Sequence, residues 1–279
     1  MLRGSLMKFI MKISTPYFAA SVLLSTCITC ALLPQNAQGQ GTLTLEAIGQ
    51  LHKRADATFA SGDHETASKL YEKLVKYRLP KQGAKAYEIG IIYNNLGVIQ
   101  QKGGETEEAF GHFDQALENF RASKGAGHRD VATVLNNVGL TKLANGDHDD
   151  AIKLFEESIA IRLKTLGKTH PDLGDCHEGI GLCLSAKGEE TAAIEAFQKC
   201  LDLRVAALGK EHLYVAAAHM GLAMAYLEKK DFDKADELEA KAKAIVKKTG
   251  GLVAVYRDPN KANKPPPFAI FKIRPRLGL

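Results

Sequence analysis

The sequence predicts an all-α fold, a right-handed superhelical solenoid of about five antiparallel helix pairs. Two observations support this class. Alanine, leucine, lysine and glutamate are plentiful, whereas aromatic residues make up only 7% of the 279 residues and tryptophan is absent, a composition that favours helices over sheets. In addition, a set of small residues recurs every 42 residues through the central part of the chain, which is typical of stacked repeats.

Each copy of the 42-residue repeat has the same small and aromatic positions. An alanine recurs as Ala67, Ala109, Ala151, Ala193 and Ala235. Four residues later stand Tyr71, Phe113, Phe155, Phe197 and, in the last copy, Glu239. Twelve residues before the alanine lie Ala55, Gly97, Gly139, Gly181 and Ala223. Small residues are needed where helix axes approach closely, so the pattern predicts two helices per copy that meet at these positions beside the aromatic ring.

Glycines mark the turns between the predicted helices. Within a copy they are Gly62, Gly104, Gly146 and Gly188, with Lys230 in the fifth copy. Between copies they are Gly125, Gly167 and Gly209, followed by His128, His170 and His212. The copies are therefore expected at about 45–84, 87–126, 129–168, 171–210 and 213–248. In the last copy Glu239 is expected to face water among charged neighbours, because no further repeat follows to cover it.

These residues resemble the tetratricopeptide repeat, and the 42-residue form resembles the repeats of kinesin light chains. The segment from Ile161 to Asp172 carries this likeness, and Tyr93 to Gly97 and Leu135 to Gly139 are similar to the family's Leu-Asn-Asn-Leu-Ala segment. The resemblance covers about residues 45–248. It implies a protein-binding scaffold, although such repeats serve many unrelated roles. No heptad-patterned coiled coil precedes the repeats, so a motor subunit is not expected.

A concave groove is the predicted binding surface, lined by the first helix of each pair. Residues on its inward face are predicted to be Asn94, Val98 and Gln101, Asn136, Leu140 and Leu143, and Glu178, Leu182 and Ser185. Packing does not demand an asparagine at positions 94 and 136, which favours a role in binding. The family resemblance further implies that Asn95 and Asn137 donate to the backbone of a bound peptide. The alternative for Asn95 and Asn137 is that they tie adjacent helices together.

The N-terminal segment, residues 1–39, is predicted to be a secretory signal peptide. Lys8 and Lys12 precede a stretch without charge, residues 13–33, and a small-residue site follows at 37–39. Secretion or a periplasmic location is therefore expected. Two alternatives are a membrane anchor formed by residues 13–33 and lipid attachment at Cys27, whose surroundings loosely resemble a lipoprotein box.

The C-terminal tail, residues 249–279, is predicted to be basic and flexible. It carries a net charge of +5 and residues 1–39 carry +3, which leaves −3 for the body of the protein. An acidic body excludes a nucleic-acid footprint. After Pro265, Pro266 and Pro267 the tail interleaves Phe268 and Phe271 with basic residues. It is either a docking segment for an acidic partner or membrane surface, or a disordered tail.

Cysteine and histidine positions predict neither a cofactor nor catalysis. His170 and His212 recur with the repeat, so the turn accounts for them better than a metal does. No phosphate loop or nucleophile elbow is present. Cys176 and Cys200 fall opposite one another in the fourth helix pair and are expected within contact range. They form either a disulfide or two buried thiols.

Two functions compete at the level of sequence. The first is an exported, non-catalytic adaptor that holds a peptide or protein segment in the groove. The second is a structural or assembly protein of an envelope complex, which acts by self-association or as a spacer.

Overall fold

The computed structural model describes residues 44–78 and 86–249, which form ten α-helices in five antiparallel pairs. In chain order the helices are α1 Leu45–Ser61, α2 His64–Arg78, α3 Ala86–Gly103, α4 Thr106–Lys124, α5 Arg129–Asn145, α6 His148–Leu166, α7 Asp172–Lys187, α8 Glu190–Leu208, α9 Leu213–Glu228 and α10 Phe232–Thr249. Odd-numbered helices are the first of each pair and even-numbered helices the second. The all-α prediction is confirmed.

The periodic small and aromatic residues form the contact inside each pair. All five alanines of the series are at most 1% exposed, and the four aromatic residues are fully buried. A Cβ atom added to Gly97 would lie 2.6 Å from Cε1 of Phe113, and one added to Gly139 would lie 2.8 Å from Cε1 of Phe155. Only glycine lets the ring pack this closely against the first helix, which explains the 42-residue spacing.

The turn inside each pair requires a left-handed backbone at one residue. Gly62, Gly104, Gly146 and Gly188 have φ of 90°, 83°, 92° and 76°. Glycine adopts such angles without steric cost. The fifth pair makes the same turn with Lys230, whose φ is 65°. It is the only residue other than glycine with a positive φ in the described ranges.

Histidines begin the first helices of the later pairs. Nδ1 of His128 accepts a hydrogen bond from the backbone N–H of Asp130 at 3.3 Å, and Nδ1 of His212 accepts one from Tyr214 at 3.2 Å. His170 makes the same contact with Asp172. Each imidazole thereby satisfies a backbone donor that the first helical turn leaves free, His128 and His212 as the N-cap residues and His170 from the residue before the N-cap Pro171.

The array curves towards its first helices. In repeats two to four each first helix contacts the first helix of the next repeat, whereas successive second helices make no comparable contact in the described residues. Helices on the inside of a curved stack lie closer together than those on the outside. The odd-numbered helices therefore form the concave face.

The last helix, α10, ends the stack with a charged outer surface. Glu237, Lys241 and Lys243 are exposed, as expected for a helix that no repeat covers. Glu239 is different, since it is only 8% exposed and pairs with Lys243 at 2.6 Å. The expectation that Glu239 faces water is wrong, because Lys243, one turn later, neutralises its carboxylate at the edge of the core.

Both chain ends lie outside the described residues. These ends include the predicted signal segment 1–39, Cys27 and the tail beyond Thr249. Within residues 44–78 and 86–249, no helix is long and apolar enough to span a bilayer.

Candidate functional site

The asparagines predicted to line the groove are buried between neighbouring repeats. Asn94 is 0% exposed and Asn136 is 2% exposed. Oδ1 of Asn94 accepts a hydrogen bond from Nδ2 of Asn137 on α5 at 2.9 Å, and its own Nδ2 donates to Oδ1 of Asn95 at 3.3 Å. The expectation that packing does not require Asn94 and Asn136 is wrong, because the next first helix covers both side chains.

Asn95 and Asn137 are also buried, and both lie at contacts between repeats. Nδ2 of Asn95 donates to the hydroxyl of Tyr71 in the preceding repeat at 3.0 Å, and that hydroxyl donates to Oδ1 of Asp56 at 2.8 Å. Burial and the nearby Asp56 carboxylate raise the pKa of Tyr71, so its hydroxyl stays a donor. This geometry matches the alternative in which the asparagines tie adjacent helices together.

A second polar contact joins repeats three and four around Cys176. Its thiol lies 3.4 Å from both Oδ1 of Asn136 and Oγ of Ser158, and Nη1 of Arg162 lies 3.2 Å from the sulfur. Arg162 also donates to the carbonyl of Asp172. All three side chains belong to the preceding repeat.

The disulfide considered for Cys176 and Cys200 is not present. Both are free, buried thiols, as is Cys183. The sulfur of Cys176 faces the preceding repeat rather than α8 of its own pair. Burial raises the pKa of Cys183 to about 12 and also raises the pKa of Cys176 and Cys200, so all three remain protonated thiols.

Repeats four and five meet at a buried ion cluster around Arg204. This arginine is 1% exposed and donates to both carboxylate oxygens of Glu178, at 3.3 and 2.8 Å. It also donates to Oδ1 of Asp175 at 3.1 Å and to the carbonyl of Tyr214 at 3.2 Å. Desolvation outweighs the attraction of Arg204 and raises the pKa of Asp175 to about 7.

Arg204 and Asp175 are absent from the sequence prediction. A signal for them exists in the 42-residue spacing, because Arg162 and Arg204 occupy the same position in successive repeats. An arginine at a position that the repeat buries must have acidic partners nearby. Glu178, predicted to bind a ligand, is one of those partners.

The remaining predicted groove residues are buried or half-buried on the concave face. Val98 is fully buried, and Leu140, Leu143, Leu182 and Ser185 are 6, 4, 5 and 9% exposed. Gln101 and Glu178 are half-buried. One turn beyond Leu140 and Leu182, Ala144 and Ala186 are exposed on the same helix faces. The ligand contact of these residues stays a prediction.

The described residues also include the side-chain types that bind metal ions. Within the two described ranges, no group of three or more histidine, cysteine, aspartate or glutamate side chains is arranged to hold a metal ion.

The comparison with protein families identifies the repeat. A tetratricopeptide repeat model matches residues 48–122, 88–164, 130–204 and 177–248, which together span more than half of the chain. The chain is a tetratricopeptide repeat protein. Arrays of this family are generally protein-binding scaffolds and are typically non-catalytic. No curated protein matches the sequence significantly.

Solved structures share the fold of this tetratricopeptide repeat protein. One is a Podosopora anserina putative kinesin light chain with nearly identical TPR-like repeats, at 23% identity and a TM-score of 0.58, with 72% of this chain and 96% of that chain covered. Another is BtubC (BKLC) from P. vanneervenii, at 17% identity and a TM-score of 0.65, with 81% and 88% covered. A third is aspartyl phosphate phosphatase F from Bacillus subtilis, at 16% identity and a TM-score of 0.62, with 73% and 51% covered. At these identities the similarity shows the fold alone.

Proposed function

We propose that the protein is an exported, non-catalytic adaptor that holds a segment of another polypeptide on its concave face. The observation that carries this proposal is the distribution of contacts along the array. The polar side chains that could have recognised a ligand at positions 94, 95, 136 and 137 are used between repeats, and they fix one repeat on the next. A stack fixed in this way offers a preformed surface, which lowers the entropic cost of binding.

The exposed part of the concave face has mixed chemistry. Leu140, Leu143 and Leu182 present apolar tips at 4 to 6% exposure, and the half-buried Gln101 donates from Nε2 to the carbonyl of Asn137. Asp175 and Glu178 retain 14% and 20% side-chain exposure beside Arg204. This surface suits a peptide that has apolar side chains and carries basic groups.

Enlarging two exposed alanines tests this assignment. Ala144→Arg and Ala186→Arg place long side chains over the groove without entering the core, because both alanines are exposed. The matched controls are Ala160→Arg and Ala206→Arg, at exposed positions on α6 and α8. We expect the groove pair to lose partners that the wild-type protein recovers from its host, and the control pair to keep them.

The comparison requires equal folded content, which circular dichroism measures for each variant. Equal recovery of every partner by the groove and control variants would contradict the assignment of the concave face.

Export rests on the N-terminal segment, where two lysines precede an uncharged apolar stretch. We expect the protein isolated from its host to begin close to residue 40 and to lie outside the cytoplasm. Mass spectrometry of the intact protein from separated fractions measures both properties. A full-length mass in the cytoplasmic fraction alone would refute export.

A further inference from the structure

The last repeat leaves an apolar stripe uncovered on α9. Met220, Met224 and Leu227 lie four and three residues apart and therefore share one face of the helix. All three are half-buried. The residues equivalent to Met224 in repeats two to four are Val98, Leu140 and Leu182, and these are at most 6% exposed.

Among the described residues, no further first helix packs on α9. The residues equivalent to Met220 in repeats two and three are Asn94 and Asn136, and each is buried by a partner on the next first helix, Asn137 and Cys176. In the last repeat no described element occupies the place of that next helix.

The sequence after α10 first follows the 42-residue pattern and then departs from it. Gly251 stands 42 residues after Gly209 and so extends the glycine series that ends each second helix. Leu252 to Tyr256 then supply a run without charge or histidine, whereas the equivalent positions after repeats two, three and four each contain a histidine and at least one charged residue. Pro259 and the prolines at 265–267 stand 42 residues after positions inside α9, and because proline disfavours a helix interior, the sequence does not predict another first helix there.

The geometry points to an intramolecular cover. We propose that residues 252–256 lie along α9 and cover the stripe of Met220, Met224 and Leu227 in place of a sixth first helix. The chain leaves α10 beside the start of α9, where Lys248 pairs with Glu211. At the rise of an α-helix, Met220 lies about 10 Å and Leu227 about 21 Å along α9 from its first residue. Five or six extended residues span about 20 Å, which is sufficient.

The methionines make the proposal directly measurable. The chain has five, and the other three, Met1, Met7 and Met11, lie near the N-terminus. The full chain with ¹³C-labelled methionine methyl groups is compared with Val253→Asp/Val255→Asp, and signals are assigned with Met220→Leu and Met224→Leu. A soluble nitroxide reports the exposure of each methyl group.

We expect the Val253→Asp/Val255→Asp variant to shift both methyl signals and to increase their broadening by the nitroxide. The milder Val253→Ser/Val255→Ser variant should shift the two methyl signals and increase their broadening in the same direction, but by less. The control Phe268→Asp/Phe271→Asp alters the distal tail equally in charge and should leave both signals in place.

Signals of Met220 and Met224 that do not respond to either valine pair would overturn the proposal. It would equally be overturned if the distal phenylalanine pair moved the signals instead. Signals that move with protein concentration in the wild type would show that a second copy covers the stripe, which also refutes an intramolecular cover. The covering of α9 is independent of what the concave face binds.

Discussion

At the scale of single residues, Lys230 holds a backbone angle that four of the five repeats give to glycine. A side chain in the left-handed region costs about 1–2 kcal/mol. We expect Lys230→Gly to recover about 1 kcal/mol, which in an array of this size raises Tm by about 2–4 °C. Thermal unfolding followed by circular dichroism measures the change.

Lys229→Gly is the matched control, because Lys229 has a right-handed helical backbone with φ of −71°. There the loss of a side chain brings no relief of strain, and Tm should stay constant or fall. A higher Tm for both variants, or for neither, would show that the angle of Lys230 costs nothing.

Asp175 should make stability depend on pH. Its ordinary pKa of 3.8 is raised to about 7 by burial, so the folded protein holds a proton that the unfolded chain releases between these values. The stabilisation is complete below about pH 4 and is lost as the pH rises through 7. Asp175→Asn should therefore raise stability at pH 8 by at least about 1 kcal/mol, the equivalent of one pKa unit.

The measurement is Tm at pH 5 and at pH 8 for wild type and Asp175→Asn. The gain should be smaller at pH 5, where the wild-type carboxyl is largely protonated. Glu178→Gln is the control, since it weakens the bidentate contact to Arg204 and should cost about 1–3 kcal/mol at both pH values. A gain from Asp175→Asn that is equal at pH 5 and pH 8 would disprove the titration.

The sequence predicted the positions of the groove residues better than the contacts that their side chains make. The spacing of Asn94 and Asn136 places them on the inward face of their helices, and this placement is sound. What spacing omits is how far the neighbouring first helix reaches across that face. The same limit applies to Cys176, because its distance from Cys200 along paired helices says nothing about which way the sulfur turns.

At the scale of helices, substitutions at Gly179 and Gly111 distinguish the effect of packing on stability from the effect of helix propensity. A Cβ atom on Gly179 would lie 2.4 Å from Cζ of the buried Phe155 ring, whereas one on Gly111 in α4 would meet nothing within 4 Å. Alanine improves the helix at either position by about 1 kcal/mol. We expect Gly111→Ala to gain about 0.5–1 kcal/mol and Gly179→Ala to lose about 1–3 kcal/mol through overpacking.

Thermal unfolding of the two alanine variants, measured side by side, gives the comparison. Equal and positive changes in Tm would contradict the close approach of α7 to Phe155. A lower Tm for Gly111→Ala would contradict the open space around Gly111, where an added Cβ atom meets nothing within 4 Å.

The helices themselves were predictable because their determinants are local and repeated. Small residues, aromatic residues and turn glycines recur at one spacing, so each copy supports the assignment of the others. Glu239 departs from this pattern in the last copy. Its carboxylate pairs with Lys243, and no other copy has an acidic residue at this position, so the repeat pattern could not predict the pair.

At the scale of the whole molecule, the five pairs make one curved stack whose repeats are joined by side-chain contacts of different kinds. Asparagine bonds join repeats two and three, the Cys176 contacts join repeats three and four, and the bond from Arg204 to the carbonyl of Tyr214 joins repeats four and five. The number of pairs follows from the sequence period. The chemistry at each junction does not, because it depends on pairs of residues in different repeats, at separations of 43, 40 and 10 positions.

The central claim is that the concave face of this array holds a polypeptide. The most direct measurement places a photo-crosslinking amino acid at Ala186 in the groove and, separately, at Ala206 on α8, in protein expressed in its host. We expect the crosslinking amino acid at position 186 to react with a defined segment of a partner and the one at position 206 not to react with it. Crosslinks to the same partner from Ala206 alone would contradict it.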